Sequence, residues 1–452
     1  MRLTLRHLFD KTFSGLGIIS ILLMGLALLI ILAPIFWRGA GAVFFQATVE
    51  HRRMMAEQFD RGSRGKLADE LKQINAARLP LFEMMARHQA YLQTLKGKEK
   101  REATKLYQEF KDELTRLLGP LPGQPVPALL RDQYGACRWS DAKTRLRQIL
   151  FTERWDYPVA DDGTPLAGHL ILEPRTRLFA GTPLEPAFPL LETQAREMLN
   201  PKLVCNWQFF TMESRDAHIF GGIKAELLGT FYLTIGAMLF AIPIGILSAV
   251  WLAEYAGQGL TVSFLRTCIS TLAGVPSIVF GLFGLAFFIN TIKVSGGKSV
   301  LAGALTLALM ILPTVIRAAE EAIKAVPRSY KEAAMALGAG RWRTVLTVIL
   351  PAALPGILTG IVISMGRAAG ETAQIIFTAA VSVGSPLLPW QVLSEPTPAL
   401  PWNIYNLAAE HEASARVVHV QYGMVTTLVL LVLLLNLTAI ILRAKVARKL
   451  RG

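Results

Sequence analysis

Arg367 and Glu371 lie in Gly366-Arg367-Ala368-Ala369-Gly370-Glu371-Thr372, inside an otherwise apolar stretch. On a helix their i, i+4 spacing shares a face, so they could neutralise each other as a structural ion pair. The same spacing suits anion handling, with the Arg367 guanidinium donating to the ion and Glu371 holding the arginine when the ion is gone. Ionisable side chains inside apolar spans usually face a cavity or a pathway, which favours the anion reading. Arg317, with Glu320 and Glu321, repeats the arrangement at the end of another apolar run, where an interface anchor and a pathway residue stand as equal alternatives. Between these two places runs EAAMALGAGRWRTVLTVILP, residues 332–351. Its first part is Ala-rich and helix-favouring, Gly338–Gly340 breaks the helix, and Trp342 onward resumes an apolar helical pattern. Glu332, Arg341 and Arg343 exclude it from hydrocarbon, which leaves a helix–glycine–helix elbow on a membrane face, shaped to dock a soluble partner.

Six apolar runs must position these residues. The chain of 452 residues is 52% hydrophobic with a mean hydropathy of +0.40, which is high for a soluble protein of this length. The net charge of +14 gathers beside the apolar runs, so membrane topology accounts for it before nucleic acid does. Residues 16–37 are long enough to cross a hydrocarbon core of roughly 30 Å. Their length favours a retained anchor over a signal peptide, although Ala40-Gly41-Ala42 resembles a cleavage site. The other spans are expected at 227–252, 264–289, 300–319, 354–380 and 424–442. Arg2, Arg6 and Lys11 before the first span, and Arg443, Lys445, Arg448, Lys449 and Arg451 after the last, put both ends in the cytoplasm with the elbow. On this count Arg367 lies about 20 Å along the fifth span, well inside the bilayer. Gly356-x-x-x-Gly360 and Gly366-x-x-x-Gly370 give that span a small-residue seam.

The division is therefore a cytoplasmic start and first span at 1–37, an outer domain at 38–220, a five-helix core at 221–442 and a basic tail at 443–452. Within the outer domain, 50–118 shows helical spacing in Leu67, Leu71, Ile74, Leu81, Met84 and Met85. A Pro-rich hinge follows at 119–127, then a helix over 141–152, a turn at 161–163 and a strand over 169–173. Cys137 and Cys205 would face an oxidising compartment and could pair. His169 and His218 have no acidic or cysteine neighbours at ligand spacing, so both read as surface histidines.

These motifs carry a resemblance. Glu332-Ala333-Ala334, Gly338 and Leu350-Pro351 resemble the EAA loop of ABC importer permeases, with Val348 where the pattern has isoleucine, a change of about one methylene. Pro313-Thr314-Val315-Ile316-Arg317-Ala318-Ala319-Glu320-Glu321, Gly274-Val275-Pro276-Ser277-Ile278-Val279-Phe280-Gly281 and Arg367-Ala368-Ala369-Gly370-Glu371-Thr372-Ala373 resemble the phosphate-specific permeases of the PstA type. So does the outer stretch from Leu388-Pro389 to Tyr405. The resemblance implies an all-α polytopic membrane protein, a six-helix type I permease core with a mainly helical outer domain inserted after the first span. It implies one permease subunit of an ATP-driven phosphate importer in the bacterial inner membrane. A second permease subunit, two ATP-binding subunits and an extracytoplasmic phosphate-binding protein are its implied partners. The elbow at 328–351 would be the coupling loop, and Arg317, Arg367 and Glu371 would line the anion path. The long segment 38–197 departs from the short form of the family and resembles the extension of some proteobacterial members.

No catalytic constellation accompanies this, and ATP and magnesium are expected on the partner subunits. Ser295-Gly296-Gly297-Lys298-Ser299 superficially suggests a phosphate-binding loop, but Ile292 stands where its first glycine belongs and the stretch faces outward. A signalling receptor would need an output domain, and a passive channel would need no elbow. Sulfate or molybdate is the alternative cargo, since an arginine recognises tetrahedral oxyanions alike.

Overall fold

The computed structural model describes residues 2–125, 127–156, 168–257, 259–411 and 414–451. It opens on one long helix, α1 (Arg2–Val43), which runs past the expected end at Trp37. Of the small residues that suggested a cleavage site, Ala42 instead lies at a helix crossing, where a Cβ on Gly423 would fall 2.6 Å from the Ala42 Cβ. Just before it, a Cβ on Gly39 would clash with Thr426 Oγ1, and Arg38 Nη1 donates to the Tyr422 hydroxyl at 2.9 Å.

The chain divides into two compact units, Val43–Asn206 and the remainder. The first unit begins with β1 (Phe44–Ala47), then α2 (Val49–Gln58), α3 (Arg64–Thr94) and α4 (Gly97–Leu118). The helix α3 continues through Pro80, so Leu67, Ile74, Leu81 and Met85 belong to one helix. After the Pro-rich segment come α5 (Trp139–Leu150), β2 (Phe151–Asp156), β3 (His169–Pro174), α6 (Ala187–Leu199) and β4 (Lys202–Cys205). The expected strand at 169–173 is thus half of a hairpin whose other strand begins with the last two residues of the expected helix at 141–152. The turn expected at 161–163 lies outside the described residues. Fully buried Leu81, Phe110, Leu114, Ile149, Phe188 and Leu191 form the core of this unit. Arg78 binds three elements within it: its guanidinium pairs with Glu50 at 3.2 Å and donates to Met198 O and Leu118 O. Burial holds His51 neutral, lowering its pKa to about 3, with Arg138 and then Arg52 acting in the same direction. Cys137 and Cys205 are not joined by a disulfide. The register explains why: Cys205 lies opposite Phe44, whereas Cys137 O accepts from Thr48 N. Those two places are about 13 Å apart along the strand direction.

The second unit contains α7 (Lys224–Val250), α8 (Leu260–Leu272), α9 (Ser277–Gly284), α10 (Val300–Lys324), α11 (Arg328–Ala336), α12 (Leu350–Gly370), α13 (Leu400–Ala409) and α14 (Ser414–Arg451). By length and composition, five helices can cross a membrane, and six spans result if the bent pair α8–α9 counts as one. That pair corrects the continuous third span expected at 264–289. Leu260–Leu272 and Ser277–Thr291 meet at 101°. Pro276 has an extended ψ of 139° and no N–H to continue the ladder, so the helix breaks at Gly274-Val275-Pro276.

The fifth span also differs from expectation. It is helical from Arg341 to Gly370 and stops there, ten residues before the expected end at Ala380. Its seam is half as long as expected. A Cβ on Gly360 would lie 2.2 Å from the Ala318 Cβ, and one on Gly356 2.7 Å from the Ala322 Cβ, so α12 runs antiparallel to α10 at backbone-contact distance. Gly366 faces Val432 and Asn436 of α14 at ordinary distances, and Gly370 meets nothing within 4 Å. Gly360→Val should therefore destabilise the chain by about 1–3 kcal/mol through overpacking. Gly370→Ala should leave stability unchanged. Thermal denaturation in detergent compares the two.

Candidate functional site

The elbow follows from three local signals. Pro327 takes an extended ψ of 136° and supplies the N-cap position of α11. The helix then closes at Leu337, whose N–H donates to Ala333 O at 3.2 Å, and Gly338 turns the chain with φ +81°. Only glycine adopts that conformation without strain, which is why the break falls there. After Gly340, the helical path resumes at Arg341–Thr344, widens into a π-helical turn at Val345–Ile349 and continues as α12, with Leu350 and Pro351 as its first residues. None of the α11 residues is buried. Glu332, Ala333 and Gly338 are exposed and Ala334 is partly covered. Beside them Leu337 is 90% exposed, with Tyr330, Met335 and Trp342 also open. The elbow is thus a polar turn carrying an unpartnered apolar patch, the composition of a docking surface.

The charged residues in the spans are arranged differently from the paired clusters expected. Helix α12 ends at Gly370, so Glu371 takes an extended conformation (φ −77°, ψ 129°) and leaves the helix face of Arg367. Its Oε1 accepts from Ala373 N at 3.3 Å instead. Arg367 is exposed and makes no hydrogen bond or ion pair with a described residue. The second cluster also separates. Arg317 Nη2 donates to Ser270 Oγ at 2.6 Å, while Glu320 accepts from Arg266 at 3.0 Å and Lys324 at 2.6 Å. Glu320 therefore pairs with two other cations and not with Arg317, which donates to a neutral hydroxyl.

Depth changes as well. Arg367 occupies the last turn of its span, about 39 Å from Arg341 along the helix, and is not near the middle. Helix α10 continues to Lys324, so Arg317 lies about two turns inside its end and not at it. Extending the Gly356–Ala322 and Gly360–Ala318 register places Arg367 level with Ile311. The two arginines are then separated by about 9 Å along the axis.

Sequence reasoning missed two groups. His218 is buried and not at the surface, its Nε2 2.9 Å from Glu226 Oε1, and Asn403 Nδ2 donates to the same oxygen at 3.2 Å. This buried triad joins the first turn of α7 to α13. The signal was available in Glu226, an acidic residue opening an apolar helix, where the macrodipole favours it. The second group, Glu254, Arg266 and Lys331, sits at span ends, where charges read as ordinary topology markers. An apolar groove of about 430 Å³ lies at the bent pair, lined by Ile269, Leu272, Phe280, Leu309 and Ile316. With no donor among those side chains, it is not an anion site. Among the described residues, no three His, Cys, Asp or Glu side chains converge as metal ligands would.

Residues 241–452 match the family described as the binding-protein-dependent transport system inner membrane component. The probable ABC transporter permease protein YqgI of Bacillus subtilis is 41% identical over 196 residues, covering 43% of this chain and 65% of that protein. The phosphate transport system permease protein PstA 1 of Mycobacterium tuberculosis is 36% identical over 233 residues, covering 51% of this chain and 72% of that protein. Among solved structures, an inward-facing MetNI methionine ABC transporter matches at a TM-score of 0.37 and 18% identity, covering 50% of this chain and 94% of that one.

The ion-pair assignments make a direct prediction. Glu320→Ala strands Arg266 and Lys324 and should cost about 1–3 kcal/mol of stability. Arg367→Ala removes no partner and should stay within about 0.5 kcal/mol of the parent. Thermal denaturation midpoints of the purified variants distinguish the two.

Proposed function

This chain belongs to the PstA-type permeases, among the inner-membrane components of binding-protein-dependent transport systems, and from that premise we propose how its geometry serves phosphate import. It is a permease subunit of an ATP-driven importer of inorganic phosphate, a transport component whose ATP hydrolysis, with its nucleotide and magnesium, belongs to partner subunits. Two ATP-binding subunits, a second permease and an outer phosphate-binding protein complete the assembly. Both chain ends and the elbow lie on the cytoplasmic side, in accord with the basic residues at each end.

The observation that supports coupling most strongly is the elbow itself. A short helix with no buried residue, an outward Glu332 and a bare Leu337 gains most by seating in the groove of a soluble partner. Arg317 and Arg367 are two anion stations about 9 Å apart along one helix pair. Each is a guanidinium without a carboxylate partner, so a dianion entering the spans replaces hydration with charge-assisted donors. Glu371, freed from the helix at the outer station, adds a negative charge that discourages an ion from resting there. Movement of the elbow as the ATP-binding pair closes and opens would shift α12 and expose the stations to alternate sides.

Proteoliposomes holding the full complex, with binding protein and labelled phosphate, test this reading. Arg367→Lys keeps the charge but loses the planar fork and should cut uptake about tenfold with assembly intact. Gly338→Pro cannot adopt φ +81° and should leave ATP hydrolysis without uptake. Parent-level uptake in the first variant would refute the anion role, and tight coupling in the second would refute the role of the elbow.

A further inference from the structure

Helix α11 has two faces with opposite tasks. Glu332 is exposed, whereas its neighbour Lys331 turns inward and closes an ion pair on Glu254, whose side chain is only 14% exposed. Glu254 belongs to the π-helical turn Trp251–Tyr255 that closes the second span just after α7. The same turn is gripped again from another side. Arg266 of α8 donates to Leu252 O at 2.9 Å and reaches Glu320 of α10, which also takes Lys324. Charge-assisted hydrogen bonds on two sides of the Trp251–Tyr255 turn therefore link α11, through the backbone of that turn, to α8 and α10.

Since α11 buries none of its own residues, packing alone gives it no firm hold on the spans. A half-buried ion pair gives it a direct connection to the turn that closes the second span, separate from its covalent path through Val345–Ile349 into α12. We infer that Lys331 and Glu254 form the positioning pair that carries motion of α11 to the second span, with Arg266 and Glu320 passing it to α8 and α10. The inference rests on the transport reading above and specifies where the mechanical load enters the bundle.

Charge reversal in the reconstituted full complex tests it, read as phosphate imported per ATP hydrolysed. Lys331→Glu and Glu254→Lys, each alone, should lower that ratio about tenfold, and the double reversal should restore most of it. Glu254→Gln, which keeps the shape and removes the charge, should show the same loss if a reversal prevents assembly. A parent-like ratio in Glu254→Gln, or a double reversal no better than the single ones, would overturn the inference while leaving import itself intact. A parent complex without ATP-dependent phosphate uptake would instead overturn the transport reading, and this inference with it.

Discussion

A bilayer supplies no partner for an unpaired peptide group and little hydration for a charge, and that single constraint orders this molecule. It requires helices wherever the chain crosses, and it restricts where their charges can sit. Glu320 is tolerated in α10 because two cations meet it, and Arg317 because a serine hydroxyl caps its inner nitrogen. Charges without such partners fall at the ends: Arg367 in a final turn, Glu332 on an open elbow. The positions of the polar residues are therefore what remains after hydrocarbon has excluded them elsewhere, and the proposed function uses those positions.

Close packing turns these helices into a device that can move as a whole. Lipid tails are as apolar as leucine, so helices hold together through contact and not through escape from water. The approach of Gly360 to Ala318 and Gly356 to Ala322 supplies that contact along α10 and α12, the pair that carries both arginines. A seam of that kind resists separation, so a push at one end displaces both helices. The two ends of the bundle are finished differently. Near the elbow, half-buried charges pair among lysine, arginine and glutamate. At α13, a fully buried histidine, glutamate and asparagine lock the start of α7.

Much of this was legible in the residues. The elbow was read residue by residue because glycine at positive φ and charge between apolar runs are local properties, visible without a structure. Span existence was equally plain, since hydropathy reports it directly. Depth and pairing were not. Placing Arg367 well inside the bilayer assumed that its helix continues to Ala380, but nothing in Gly370-Glu371-Thr372 announces that it stops. The Arg367–Glu371 pairing rested on that same helix and separated with it. His218 was read as a surface residue because its partners lie eight and 185 positions away, beyond any local pattern. The third span broke at Pro276, a residue known to sit within spans elsewhere and therefore no proof of a bend. Sequence spoke clearly where chemistry was local and incompletely where it depended on folding.

The central claim is that the elbow takes force from a separate ATP-hydrolysing protein. A photoreactive amino acid at Leu337, which is 90% exposed, would place a short-range probe at that contact in living cells. Irradiation followed by mass spectrometry should recover a nucleotide-hydrolysing subunit covalently joined to this chain, with the yield changing when ATP is depleted. Adducts to lipid alone, or to proteins without a nucleotide site, would contradict the account.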